Sequence, residues 1–317
     1  YIPIKLGGFG DIFDAAGKAL PKNDPPASLV PGNAASYQTY ATLALGSAFA
    51  LFLYPHALTG MLSARSAGTV RRNATLLSFY SLALGIIALM GYMAIAAGLK
   101  LDNPNFAVPD LFIKYFPSWF EGFAFAAIGV GALVPAAIMA IAAANLFTRN
   151  IYKQYFRPDA GDREEARVAK LASLVVKGGA LIFALFVSTQ SAIDLQLLGG
   201  VWIIQTLPAV FIGLYTRWFH RWALIAGWAV GMVLGTLMAA SQSFKAPYPL
   251  TIGGHTITMY AAFFAILANL VVCIVLTPIL RRVSPTEPPD ETAPEDYRDL
   301  SESVREVAPA SQPVTTA

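Results

Sequence analysis

A chain of 317 residues that is 56% hydrophobic and only 13% charged carries about half the charged share of a soluble domain, which excludes water as the solvent for most of its surface. The formal charge of +3 is too small and too dispersed to imply a nucleic-acid partner, and the single cysteine, Cys273, excludes an internal disulfide framework.

The chain opens on Tyr1, with no basic segment leading into an apolar one, so it reads as a mid-chain start rather than a signal peptide. Residues 1–37 are expected to form an external loop segment. Beyond them, each charge at a bilayer centre costs about 2.5–3.5 kcal/mol, so stretches free of Asp, Glu, Lys and Arg locate the spans. Such runs cover 25–64, 73–99, 122–148, 195–216, 222–244 and 246–280, and each reaches the ~20 residues a spanning helix needs. A further candidate, 171–193, holds only Lys177, close enough to the basic end for its stem to snorkel. Trimmed, the seven predicted helices are 38–60, 74–98, 121–147, 170–192, 196–215, 222–241 and 258–280, giving an all-α transmembrane domain over 38–282. Strands are not expected, because the runs are continuous rather than alternating.

The first span holds Gly46, Ser47, Leu51, Tyr54, Pro55 and His56. Proline removes a backbone donor, so a kink is expected around Tyr54–His56. A histidine at membrane depth is a functional candidate, although His56 lies toward one end and could simply donate to a neighbouring carbonyl. In the third span Gly129, Gly131 and Pro135 precede a run of alanines; this pattern fits either close helix packing or a discontinuous helix lining a cavity. Asn145 reads as a cap. Between the fourth and fifth spans Thr189, Gln190, Ser191, Asp194 and Gln196 form an expected tight turn, with Asp194 as a helix N-cap. Gln196 and Gln205 need amide partners in lipid, either at a helix interface or along an aqueous path.

The loops at 61–73, 148–170 and 216–221, with Arg281 and Arg282, hold thirteen basic residues, whereas the alternate segments hold six, all lysine. The positive-inside rule then puts the N-terminal segment outside and the C-terminus in the cytoplasm of a multi-pass cell-membrane protein. Trp218 and Trp222 flank the shortest basic loop, at headgroup level. Residues 283–317 are rich in Pro, Glu, Asp, Ser and Thr and are expected to be a disordered cytoplasmic tail. No spaced metal ligands, phosphate loop or nucleophile with its base stands out, so neither an enzyme nor a cofactor is expected.

Four strings are more specific: GGFGDIFDA at 7–15, ALGSAFALFLYPHALTGMLSA at 44–64, NLFTRNIYKQYFRP at 145–158 and LGGVWIIQTLPAVFIGLYTRW at 198–218. In order and spacing they resemble the sodium/solute symporter family, most closely its monocarboxylate permease branch, to which the YPH string points. The resemblance implies a leucine-transporter-like fold, with two five-helix repeats of inverted topology around a midplane site. This chain then holds the second repeat and two peripheral helices, and its partner is the missing N-terminal half of the same transporter.

The resemblance also places substrate-lining positions at Ser47, Ala50, Leu51, Ser81 and Gln196, with Tyr54, His56 and Gln205 as further candidates. The family's sodium site falls at Gly131, Val134 and Pro135, where both expected hydroxyl side chains are gone, so the coupling ion is left between proton and sodium, with His56 as a participant in the proton case. The function implied is uptake of a small organic acid such as pyruvate, lactate or acetate. The alternatives are a sensory membrane domain acting through a partner, a symporter for another small organic solute, and a channel or structural subunit.

Overall fold

The computed structural model describes residues 1–22, 27–101, 103–186 and 192–284. The chain starts with two short helices, α1 (Ile2–Lys5) and α2 (Phe9–Ala19), and a 3-10 turn, Leu20–Lys22. The segment expected as a loop is therefore largely helical. Its apolar positions are the reason: Ile12 and Ala16 lie one turn apart on α2 and are fully buried. Ile12 packs with Ile2, Met93, Ala94 and Leu111 in a small core of its own.

The helix α3 (Ala34–Leu53) begins where the Asn33 side chain accepts from the Ser36 N–H at 2.9 Å. It stops at Tyr54, whose extended backbone (φ −61°, ψ 133°) turns the chain into α4 (Pro55–Leu62), and the two axes differ by 51°. The kink expected at Tyr54–His56 is a full break. Ser66 caps α5 (Ala67–Ala96), and α6 (Ala107–Tyr115) follows after a 3-10 turn, Pro104–Phe106. The next helix, α7 (Ser118–Phe147), runs unbroken through Pro135 and continues as a π-helical stretch, Thr148–Phe156. The discontinuous third span is thus not found. Close packing, the alternative, is made at the alanines, where Ala140, Ala142 and Ala144 are buried and α7 lies against α8, and not at Gly129 and Gly131, which meet nothing within 4 Å.

The fourth long helix, α8 (Asp162–Phe186), opens on Asp162, Glu164 and Glu165, the charge that a helix N-terminus favours. The expected turn residues Thr189, Gln190 and Ser191 lie outside the described residues. Asp194 sits in the first turn of α9 (Ala192–Ile203). The predicted fifth span, 196–215, is not one straight helix. After α9 come a 3-10 turn (Ile204–Thr206), a π stretch (Pro208–Ile212) and α10 (Gly213–Tyr215), with a 41° bend between Asp194–Thr206 and Pro208–Tyr215. Two further long helices follow, α11 (Arg221–Ser241) and α12 (Ala261–Val283). Residues 285–317 of the expected tail lie outside the described residues.

Between α11 and α12 stands an antiparallel hairpin, β1 (Pro247–Ile252) and β2 (His255–Tyr260), a correction to the expectation of no strands. Gly253 and Gly254 make its turn, both at positive φ (58° and 83°), as a two-residue hairpin loop demands. Among the described residues five helices are long and apolar enough to cross a membrane, and seven spans result if each bent pair counts as one. Their outer faces carry large apolar side chains, with Phe79 69%, Leu133 69% and Val175 74% exposed. This is the architecture of an all-α membrane protein with one added hairpin.

The main core joins α3, α9, α11, α12 and β2. One face of α11 presents Ala223, Gly227, Gly231, Gly235 and Ala239, all buried and four residues apart, and α12 packs on it at close range. Tyr260 is the keystone where β2 meets α3 and α9. Its ring lies where a Cβ on Gly46 would come within 2.5 Å of it, its N–H donates to the Thr42 hydroxyl at 3.0 Å, and its own hydroxyl donates to the Leu197 carbonyl. Tyr260→Phe is expected to cost about 0.5–1.5 kcal/mol, because the hydrogen bond to the half-buried Leu197 carbonyl is lost. Tyr260→Ala should cost about 3–5 kcal/mol by leaving a ring-sized void. Thermal unfolding in detergent checks both, and equal melting of the two variants would count against this role.

Candidate functional site

The two broken spans meet. Pro55 and Pro208 lack the N–H that the carbonyls of Leu51 and Ile204 would receive in an unbroken helix. Each break therefore presents backbone polar groups at membrane depth, which is tolerated where protein covers them or where they line a cavity. At the first break the Tyr54 hydroxyl reaches across to donate to the Gln196 carbonyl at 3.4 Å. It passes Gly199, where a Cβ would stand 3.4 Å from that oxygen. The neighbouring Gly200 leaves space for the Tyr260 hydroxyl, so two consecutive glycines on α9 admit two tyrosines. His56 stacks on Tyr54, with ring centroids 5.3 Å apart and 25° between planes. Its Nδ1 is buried and has no hydrogen-bond partner among the described residues.

The structure brings Tyr54, His56 and the backbone of Gln196 together and disperses the other candidates. Ser47 and Leu51 lie exposed on α3, and the Gln196 side chain lies exposed on α9. Ala50 is buried in the main core. Ser81 is exposed on α5, with its hydroxyl donating to the Leu77 carbonyl one turn back at 3.0 Å. Gly131, Val134 and Pro135 are exposed on α7, and the side chains of the latter two offer no oxygen to a cation. Among the described residues no group of three His, Cys, Asp or Glu side chains is arranged to hold a metal ion.

Gln205 belongs to the packing seam. It is 1% exposed, its Nε2 donates to the Val201 carbonyl at 2.9 Å, and its own carbonyl accepts from Asn269 Nδ2 at 2.8 Å. Asn269 in turn lies against Cys273, whose Sγ is 3.3 Å from the amide oxygen. Sequence reasoning missed Asn269 and Tyr260. Asn269 carried the same signal as Gln205, an amide in an uncharged run. Tyr260 carried none, since its partners lie far off in the chain.

The family model for the sodium:solute symporter family matches residues 2–235. A monocarboxylate transport permease protein of Rhizobium johnstonii is 51% identical over 284 residues, covering 90% of this chain and 57% of the relative. Two proteins of Bacillus subtilis, the uncharacterized symporters YodF and YhjB, are 30% and 28% identical, over 78% and 74% of this chain and 48% and 47% of their own lengths. The chain thus spans about half the length of the curated relatives it matches. It belongs to the sodium:solute symporter family.

Proposed function

We propose that this chain is the C-terminal part of a secondary active transporter that imports small monocarboxylates, such as pyruvate, lactate or acetate, by alternating access. The observation that carries the reading is the meeting of two broken spans at Tyr54, His56 and Gln196, a place where polar backbone and an unpartnered imidazole nitrogen converge among otherwise apolar helices. Broken helices around a midplane site are how transporters with inverted repeats hold their solutes. The 51% identity to a permease with monocarboxylate in its name supports the solute class. In this reading α3 to α10 make up the second inverted repeat, α11 and α12 are peripheral, Tyr1 is external and Arg281 is cytoplasmic. Ser47, Leu51, Ser81 and Gln196, exposed here, face the other half of the transporter.

The whole transporter in sealed vesicles is expected to accumulate labelled pyruvate against a gradient. Failure to accumulate any monocarboxylate under either a proton or a sodium gradient rejects the proposal. Coupling follows from the missing hydroxyls at Val134 and Pro135. Sodium takes oxygen ligands, so we expect uptake to persist when choline replaces sodium and to depend on the proton gradient. A strict sodium requirement would show that cation binding uses other oxygens.

A further inference from the structure

Beyond the solute path, the helices α7 and α8 enclose a side cleft of about 440 Å³. Its α8 wall presents Lys170, Leu174 and Lys177, spaced so that they share one helix face. Its α7 wall presents Ile141, Ala144 and Asn145, and the exposed lining is mostly hydrocarbon. No acidic residue lines this cleft, and among the described residues no hydrogen bond or ion pair engages either lysine.

The nearby acids are already taken. Glu165 is paired with Lys153, and with Arg149 at 3.7 Å; Glu164 accepts from the Tyr152 hydroxyl at 2.7 Å and pairs with Arg157 at 3.6 Å. Asp162 lines a separate, adjoining cleft at the start of α8, beside Arg149 and Glu165. Two ammonium groups thus share a mostly apolar slot between helices long and apolar enough to span the membrane. Uncompensated charge is costly at such depth. Lysine stems a turn or two inside the hydrocarbon reach outward to headgroup level.

We propose that this cleft binds an anionic phospholipid, with its headgroup phosphate held by Lys170 and Lys177 and an acyl chain lying along Ile141 and Leu174. The two lysines supply the charge complement, and basic pockets between membrane helices select anionic headgroups in this way. The apolar wall is what distinguishes a lipid from free phosphate as the occupant.

Native mass spectrometry of the detergent-purified protein tests it, with phosphatidylglycerol as the probe and phosphatidylcholine as the comparison. Wild type should retain phosphatidylglycerol at least fivefold more than phosphatidylcholine, and millimolar inorganic phosphate should not displace it. The double substitution Lys170→Gln and Lys177→Gln should bring retention down to the phosphatidylcholine level. Leu174→Glu keeps both lysines and gives them an internal counter-ion at a residue that is 67% exposed. It should abolish the preference without disturbing the fold, as checked by gel filtration. Equal retention of the two lipids by wild type, a preference unchanged in both variants, or displacement by inorganic phosphate would each overturn the proposal.

Discussion

A Gly227→Leu variant is expected to expose Cys273 to a thiol-reactive dye at a temperature about 5 °C below wild type, equivalent to roughly 3 kcal/mol for a domain of this size. The reason lies in the seam between α11 and α12. A Cβ at Gly227 would overlap Cys273 Sγ and come within 2.5 Å of Asn269 Oδ1 and 2.7 Å of the Asn269 backbone oxygen. A flexible side chain could move aside, but the backbone of α12 cannot do so without opening the helix pair. Overpacking of this kind costs about 1–3 kcal/mol. Displacing Asn269 would also strip the Gln205 carbonyl of its buried donor, adding about 1–3 kcal/mol. Cys273 is the one cysteine of the chain and is fully buried in that seam, so the dye reads the seam directly. Gly178→Leu serves as the comparison. Nothing lies within 4 Å of its Cβ position, and leucine is the better helix former, so its melt should match or slightly exceed wild type. Equal melting of the two variants would show that the close approach at Gly227 does not hold the helices together.

Straightening the first break should damage function rather than stability. In the whole transporter, Pro55→Ala is expected to reduce pyruvate uptake about tenfold or more while the amount of folded protein stays unchanged. Proline at this position keeps Tyr54 out of the helical region and withholds a donor from Leu51. With alanine there, α3 and α4 can join and recover a backbone hydrogen bond. The long 3.4 Å bond from Tyr54 to the Gln196 carbonyl and the packing of α4 on α7 then oppose this. A net hydrogen bond is worth about 0.5–1.5 kcal/mol, so the two arrangements become close in energy. Each ~1.4 kcal/mol toward the straight form lowers the competent population tenfold. Pro278→Ala is the natural control, since α12 runs unbroken through that proline. Wild-type uptake by Pro55→Ala, or an equal loss from Pro278→Ala, would disconnect the break from transport.

Much of this architecture was legible in the residues, because lipid punishes charge wherever it occurs and the uncharged runs therefore mark long helices without any knowledge of contacts. The break at Pro55 was legible for a similarly local reason. Proline by itself, however, does not decide the matter. Pro135 and Pro278 lie inside continuous helices, whereas Pro208 follows a 3-10 turn at a bend that charge counting over 196–215 could not separate from a straight span. The hairpin was written in the sequence as two alternating runs around Gly253 and Gly254. Both runs lie inside the charge-free stretch 246–280, where counting charges alone does not separate them from helix. The helices before residue 34 escaped because they are short and amphipathic, and a rule built on charge-free length does not register them. Within the site, Tyr54 and His56 stood out because each sits beside the proline. Asn269 and Tyr260 owe their roles to partners 64 and 63 residues away, a distance no local pattern encodes.

The pinning of β2 onto α3 has a mechanical consequence. The Thr39 hydroxyl donates to the Thr258 carbonyl at 3.1 Å, and the Thr42 hydroxyl accepts from the N–H of Tyr260, from which α12 departs directly. Any tilt of the N-terminal half of α3 must therefore drag the hairpin and the start of α12 along with it, as a single heavy body. On the far side of Tyr54, α4 packs on α7 instead, so the swivel at Tyr54 stands between two loads, one tied to the hairpin and the other to the long helix α7.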